Sequence, residues 1–288
     1  MFYNSADEWQ NAREKRVLIF GMSGLGKTHV ANMLRDTGEW YHYSIDYRIG
    51  TRYMGEHILD NIKREAMKEP FIANLLRTDS IYIGSNISFN NLAPLSTYLG
   101  KPGDPAKGGV PFDEYMRRQA LHREAEIASL LDSRYFIDRA QAIYGYPHFI
   151  CDTGGSICEV VEPNNPDDPV LSSLSQDNLL VWIKGDDSHI DRLAARFDRA
   201  PKPMYYSPAF LTEKWAQYLS LNGVAEDKVD PDDFVRWTYR QAMKHREPIY
   251  AAMAEKWGVT VMADDVANVS NATDFDRLIA EALGKQAN

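Results

Sequence analysis

The stretch Gly21-Met-Ser-Gly-Leu-Gly-Lys-Thr28 has glycine, lysine and threonine at every fixed position of the pattern G-x-x-x-x-G-K-[ST]. Glycines let the backbone pass close to an anion and direct its N–H groups inward. In this pattern the lysine reaches the β- and γ-phosphates of a nucleotide, and the hydroxyl is placed to ligate Mg²⁺. The stretch therefore predicts a phosphate loop. Its nucleotide-binding residues are expected to be Gly21, Met22, Ser23, Gly24, Leu25, Gly26, Lys27 and Thr28.

The residues on either side of this loop predict its place in the fold. Residues 16–20 are a short apolar run, typical of a buried parallel strand. Apolar residues recur at helical spacing after Lys27 until Gly38 ends the helix, and residues 39–46 predict a second strand. Strand, helix and strand in this order indicate a right-handed βαβ unit. A phosphate loop requires this context, because a helix has to begin where the anion is bound.

The rest of the chain continues the alternation of strands and helices. Further strands are predicted at 148–151, 178–183 and 259–262, and further helices at 188–198, 232–246 and 274–286. This order is typical of an α/β fold. We therefore expect one phosphate-loop domain over residues 1–288, with three αβα layers and a mostly parallel sheet.

Two long segments depart from the alternation. Residues 47–145, with helices near 55–77 and 113–132, are expected to form a large helical insertion that binds the second substrate. Between those helices, seven of the fourteen residues of 100–113 are Gly or Pro, which predicts an ordered loop or a hinge. Prolines at 201, 203 and 208 are expected to open an irregular lid region over 199–240.

Composition excludes several classes of protein. With 32 Lys+Arg against 41 Asp+Glu, the chain carries a formal charge of −9, which argues against nucleic acid as its main partner. No run approaches the apolar length of a membrane span, and the first residues lack the apolar core of a signal peptide. Two cysteines cannot build a disulfide framework. We expect a cytoplasmic protein with no membrane partner.

Two aspartates follow predicted strands, at the sheet edge where α/β proteins bind ligands. Asp152 comes directly after the apolar residues 149–151, and is expected to hold Mg²⁺ together with Thr28. Asp46 ends the second predicted strand, and could orient and deprotonate an acceptor hydroxyl. The alternative for each residue is a helix cap or a closed turn.

Five later features, taken with the phosphate loop, resemble the shikimate kinase family and its relatives among small-molecule kinases. In chain order they are Asp46, Arg123-Glu-Ala-Glu126, Thr153-Gly154-Gly155, the arginines 192, 196 and 199, and Arg246-Glu-Pro-Ile-Tyr250. The chain departs from the family in having Ser44 where a second aspartate is usual, and Asp152 directly before Thr-Gly-Gly. One account is that the Mg²⁺-supporting carboxylate has moved from the second strand to the third.

The resemblance implies an ATP- and Mg²⁺-dependent kinase, with a role for each matched residue. Lys27, Asp46, Asp152 and Arg199 are expected to be catalytic, and Arg196 to contact the nucleotide. The resemblance places the acceptor hydroxyl at Asp46, its carboxylate at Arg123 and Arg246, and the backbone of Gly154 and Gly155 beside it. The i,i+3 spacing of Arg123 and Glu126 predicts that both lie on one helix face. Lys202 is a further candidate for a lid cation.

The sequence leaves two other functions open. The chain could be an ATPase or a nucleotide-dependent switch that acts on a protein partner through its insertions. A kinase of nucleotides or RNA is a third reading, although the net charge of −9 disfavours it. If ATP consumption depends on a small-molecule acceptor, a small-molecule kinase is favoured over an ATPase or switch.

Overall fold

The computed structural model of the chain describes residues 2–286, and its centre is one parallel sheet. The strands are β1 (Arg16–Phe20), β2 (Trp40–Ser44), β3 (His148–Asp152), β4 (Leu179–Lys184) and β5 (Gly258–Met262). They lie in the order β2-β3-β1-β4-β5, and every pairing is parallel. The predicted α/β class with a mostly parallel sheet is confirmed, and all five predicted strands are present.

The described residues contain fourteen α-helices, several of which are short. They are α1 (Ala6–Asn11), α2 (Lys27–Arg35), α3 (Ile45–Arg48), α4 (Gly55–Ala66), α5 (Pro70–Arg77), α6 (Ala93–Leu99), α7 (Phe112–Leu131), α8 (Ser133–Tyr144), α9 (Pro169–Asp177), α10 (Asp187–Arg199), α11 (Pro208–Asn222), α12 (Pro231–Trp257), α13 (Ala263–Ala267) and α14 (Ala272–Gln286). No helix of this part of the chain is both long enough and apolar enough to cross a bilayer.

The chain forms two compact units. The first unit is Met1–Ile45, Glu126–Ala200 and Arg236–Asn288, and it contains the whole sheet. The second unit is Asp46–Ala125 and Pro201–Val235. The boundaries expected from the sequence, 47–145 for the insertion and 199–240 for the lid, stay predictions.

The core of the first unit follows from strand alternation. Successive side chains of β1 point to opposite faces of the sheet. Val17 and Ile19 join an apolar cluster with residues of α2 and α14. On the other face α8 and α9 pack against the sheet, and Phe136 of α8 stacks on Tyr43 with ring centroids 4.8 Å apart. Helices therefore cover both faces.

The second unit is built around α7 and an ordered loop. The Gly103 N–H donates to the Val110 carbonyl at 3.0 Å, and the Asp104 N–H donates to the Val229 carbonyl at 2.8 Å. A Cβ on Gly109 would lie 2.5 Å from the carbonyl carbon of Gly103, so the loop closes on itself too tightly for any other residue. The expectation of an ordered loop at 100–113 is met.

Several elements differ from the expectations. The irregular region expected after Pro201 contains the 15-residue helix α11, with Pro208 in its first turn, where proline is well tolerated. The helix expected at 232–246 continues through Pro248 to Trp257. Pro248 lies on the exposed side of the helix, whereas Tyr250 and Met253 beyond it are fully buried. Burial of these side chains outweighs the one hydrogen bond that proline removes.

The sequence pattern also missed six helices. These are α1, α3, α6, α8, α9 and α13. In addition, the helix expected at 55–77 is divided at residues 67–69 into α4 and α5. Short helices are stabilised by tertiary packing more than by local propensity, so their periodicity is weak in the sequence.

Candidate functional site

The backbone of the phosphate loop, residues 21–28, has the shape of an anion cradle. Gly21, Gly24 and Gly26 have φ angles of +136°, +96° and +98°, in the left-handed region that favours glycine. A Cβ on Gly21 would lie 2.6 Å from the Ile183 carbonyl oxygen, so the loop also leaves β1 in tight contact with β4. Left-handed backbone angles of this kind occur in the backbone nests that bind anions in proteins.

Lys27 lies at the centre of this loop and is 6% exposed. Its Nζ donates to the carbonyl oxygens of Gly21 and Met22, at 2.7 and 2.8 Å. Helix α2 begins at Lys27, and its N-cap, Gly26, provides no side-chain acceptor for the first N–H groups. An uncapped helix N-terminus beside a lysine provides donors suited to a phosphate group.

Asp152 is the last residue of β3, the strand that pairs with β1, and it is 5% exposed. The structure places it at the carboxyl edge of the sheet, as the sequence predicted. His42 lies beside it, with Nε2 3.2 Å from the Asp152 Oδ1 atom. His42 was not predicted as a site residue. Strand alternation could have indicated it. His42 and Ser44 lie on the same face of β2, and Ser44 is paired in register with Asp152.

The Thr153–Gly155 turn lies against the phosphate loop. The Thr153 N–H and hydroxyl both donate to the Ile19 carbonyl, each at 3.2 Å. A Cβ on Gly155 would lie 3.1 Å from the Ser23 backbone nitrogen. Glycine at position 155 is therefore what permits the turn to approach the loop this closely.

Arg246 of α12 holds the other side of the same turn. Its Nε donates to Glu159 Oε1 at 2.8 Å, and its Nη1 donates to the Gly155 carbonyl at 2.9 Å. The Tyr250 hydroxyl donates to the same carbonyl at 2.5 Å. The Arg246 and Glu159 side chains are 5% and 0% exposed. Glu159 was not predicted from the sequence, and no local pattern marks it.

Burial keeps two thiols and one phenol of this region in their uncharged forms. Burial raises the pKa of the Cys158 thiol to about 12, and it raises the pKa of Tyr250 well above its usual value. Burial also raises the pKa of Cys151. Neither thiol is a nucleophile near neutral pH.

The arginines of α10 differ in their surroundings. The Arg196 Nη1 lies 4.0 Å from the point where a Cβ on Gly24 would stand, so this side chain reaches the phosphate loop. Arg199 is exposed, and its Nε donates to the Ala195 carbonyl of its own helix at 3.3 Å. The structure thus brings Arg196 to the loop, whereas the Arg199 guanidinium binds a carbonyl of its own helix.

The second unit contains the other predicted acceptor residues. Asp46 is half-buried in α3, two residues beyond the end of β2, and not directly after the strand as expected. Arg123 is exposed on α7, whereas Glu126 is fully buried and accepts a 2.8 Å hydrogen bond from Ser156 Oγ. Arg123 and Glu126, three positions apart on α7, therefore differ in burial. Residues three apart differ by about 60° around a helix, enough to straddle the edge of a buried stripe.

A second polar cluster joins Asp186, His189 and Asp264. Asp186 Oδ1 accepts from the His189 N–H at 2.9 Å and from Ser188 Oγ at 2.8 Å, which caps α10 and lowers the pKa of Asp186. His189 Nδ1 and Nε2 lie 2.7 and 3.3 Å from Asp186 and Asp264 oxygens. Helix capping accounts for this arrangement.

Comparisons with known proteins give a distant likeness. A crystal structure of shikimate kinase from Bacteroides thetaiotaomicron matches with 14% sequence identity and a TM-score of 0.38, over 94% of this chain and 95% of that chain. No family model matches the chain, and no curated protein does. At this level of similarity no activity, substrate or residue role is transferred, and an activity has to be inferred from the chain's own residues.

Proposed function

We propose that the chain is an ATP-dependent phosphotransferase whose acceptor is a hydroxyl of a small, carboxylate-bearing molecule. The observation that carries the proposal is the phosphate loop. Gly24 and Gly26 turn its backbone, Lys27 is folded into it, and α2 begins there without a side-chain cap. Inward N–H groups, a lysine and a helix N-terminus together suit the phosphate chain of a nucleotide.

In this proposal the loop binds the β- and γ-phosphates, and Lys27 exchanges the carbonyls of Gly21 and Met22 for phosphate oxygens. The Thr28 hydroxyl and the Asp152 carboxylate are hard oxygen donors, which suit Mg²⁺. When bound with the nucleotide, Mg²⁺ neutralises charge on the phosphate oxygens. Arg196, which reaches Gly24, supplies a further positive charge.

The acceptor half of the reaction is assigned to Asp46 and Arg123. Asp46 orients the acceptor hydroxyl and takes its proton as the oxygen attacks the γ-phosphorus. The bond between that phosphorus and the bridging oxygen then breaks, and ADP leaves. Arg123 is an exposed arginine that can bind the acceptor carboxylate. Gly154 and Gly155 supply backbone groups to the acceptor, and Arg199 or Lys202 supplies a lid cation. Such catalysis consists mainly of positioning and electrostatics.

The test is acceptor-dependent turnover of Mg-ATP. ADP release is measured with a panel of small hydroxylated carboxylic acids, shikimate among them, and with matched compounds that lack the carboxylate. We expect release only with a carboxylate-bearing acceptor. Lys27→Ala should lower kcat by about 100-fold or more, the scale for losing one charge-stabilising group. Lys68→Ala, which changes an exposed lysine of the second unit, is the control.

Asp46→Asn separates the proposed kinase from an ATPase. The variant keeps the size of the side chain and loses its capacity to accept a proton. We expect transfer to the acceptor to fall by about 100-fold or more, with nucleotide affinity unchanged. ATP hydrolysis that needs no acceptor, and is equal in the wild type and in Asp46→Asn, would favour the ATPase function instead.

A further inference from the structure

We infer that Arg246 is a positioning residue for the nucleotide, holding the Gly155 turn against the phosphate loop. This inference rests on the proposed function, because it requires that the loop bind a phosphate chain. It assigns Arg246 a different role from the acceptor-carboxylate contact that the family resemblance implies. The consequence is specific: loss of Arg246 should weaken binding of the phosphate chain in the absence of any acceptor.

The contacts form an unbroken series within the first unit. The Glu159 carboxylate accepts from Arg246 Nε at 2.8 Å, and Arg246 Nη1 donates to the Gly155 carbonyl at 2.9 Å. The Cα of Gly155 in turn faces the Ser23 backbone nitrogen, so closely that an added Cβ would lie 3.1 Å from it. Ser23 belongs to the loop that is proposed to bind the phosphate chain, and its backbone nitrogen lies beside the turn. Any shift of the turn therefore changes the space around that N–H group.

The contacts of Arg246 and Tyr250 suit a role in holding the Gly155 turn rigidly in place. Arg246 and Tyr250 are four residues apart on α12 and therefore share one face of the helix. Together they donate two hydrogen bonds to the Gly155 carbonyl oxygen, at 2.9 and 2.5 Å. A guanidinium is planar, so the carboxylate that binds Nε also fixes the direction of the Nη1 bond. Lysine at this position would keep the charge and lose that geometry.

The same contacts argue against a direct role in acceptor binding. The guanidinium already binds one carboxylate, and Arg246 is only 4% exposed. A second carboxylate, Glu126, lies in the same buried region, where it accepts from Ser156 Oγ at 2.8 Å. An incoming carboxylate would have to displace Glu159 from its guanidinium in an interior that already contains Glu126, which is costly.

The experiment measures equilibrium binding of mant-ATP with Mg²⁺, and its displacement by inorganic tripolyphosphate, with no acceptor present. We expect Arg246→Met to raise both dissociation constants at least about tenfold. The dissociation constants of Arg246→Lys should lie between those of Arg246→Met and those of the wild type. Arg246→Met alone removes the guanidinium from the buried Glu159 carboxylate, so a loss of stability is expected as well. The double variant Arg246→Met with Glu159→Gln also removes the carboxylate charge, and should recover thermal stability without recovering affinity.

Arg118→Met is the matched control. Arg118 lies in the second unit, is similarly buried, and also joins a carboxylate to a backbone carbonyl, with 2.7 Å to Glu114 and 2.5 Å to Tyr98. Its loss should lower thermal stability and leave both dissociation constants within about twofold of the wild type. The comparison separates general destabilisation from an effect on the phosphate loop.

Three results would overturn the inference. If Arg246→Met binds mant-ATP with wild-type affinity and only the acceptor KM rises, Arg246 is an acceptor contact. If the double variant recovers affinity together with stability, its role is structural alone. If wild-type protein binds neither mant-ATP nor tripolyphosphate, the proposed function fails and this inference fails with it; the first two results leave the proposed function standing.

Discussion

Different kinds of interaction stabilise each of the two units of this protein internally. The first unit is built on a five-stranded backbone ladder with an apolar cluster against it. The described residues of the second unit contain only isolated bridges, and its α7 side chains bind backbone groups of distant segments. Gln119, fully buried, donates to the Met204 carbonyl at 3.2 Å and accepts from the Tyr206 N–H at 2.9 Å. Apolar periodicity therefore describes the first unit well and the second poorly.

The largest effect is expected from a backbone clash in the sheet. A Cβ on Gly258 of β5 would lie 2.1 Å from the Leu180 carbonyl oxygen of β4, so Gly258→Ala has to move one strand. We expect the free energy of unfolding of the first unit to fall by about 3–5 kcal/mol, measured by urea denaturation. Gly284→Ala is the control, because nothing lies within 4 Å of its added Cβ.

That control should be neutral or slightly stabilising, since alanine favours a helix by about 1 kcal/mol over glycine. Equal destabilisation by Gly258→Ala and Gly284→Ala would contradict the view that close strand pairing determines stability in the first unit.

The next largest effect is expected from acid pH, which should lower the stability of the second unit. His122 is buried against the Tyr205 ring, 4.8 Å between centroids, and burial lowers its pKa from 6.5 to about 4. Between those values the unfolded chain binds a proton that the folded chain does not, so stability falls as pH falls from 6.5 to 4. The difference of roughly 2.5 pKa units corresponds to a loss of up to about 3 kcal/mol.

A fluorine label makes this measurable in the second unit alone. Trp215 is the one tryptophan of that unit in the sequence, so its 5-fluorotryptophan resonance, assigned with Trp215→Phe, reports unfolding there. His122→Phe keeps an aromatic ring against Tyr205 and removes the titrating group. Its stability should show a weaker dependence on pH over this range; an unchanged dependence would exclude His122 as the cause.

The smallest effect is expected at Gln119. Gln119→Leu leaves the Met204 carbonyl and the Tyr206 N–H without this partner, and should cost about 2 kcal/mol. Gln217→Leu, on the exposed side of α11, should change the free energy of unfolding by less than about 0.5 kcal/mol. Similar values for the two variants would mean that buried amide contacts contribute little to the second unit.

The candidate site was predictable in part. The phosphate loop, the strand before it and the helix after it are contiguous, so their chemistry can be read from neighbouring residues. Asp152 was also placed correctly at the edge of the sheet, because the strand before it is strongly apolar. Asp46 was expected at a strand end, and instead lies in the helical turn α3. The residue at which β2 ends depends on its pairing with β3, and no local sequence pattern predicts that pairing.

The buried polar contacts were beyond prediction. Glu159 lies 87 positions before Arg246, and Gln119 lies 87 positions before Tyr206, whose N–H donates to it. Pairs this distant in sequence leave no periodic signal. A charged residue also has the same appearance in a sequence whether it is solvated or buried with a partner.

The sequence by itself determined the glycine-rich loop at 21–28 and the parallel sheet, because both follow from local backbone requirements and from apolar runs of neighbouring residues. The tertiary structure alone decided which charges are buried, with Arg246 joined to Glu159 and to the Gly155 carbonyl while Arg123 is exposed. Burial of a charge depends on the partner that folding brings to it, and that partner comes from a distant part of the chain.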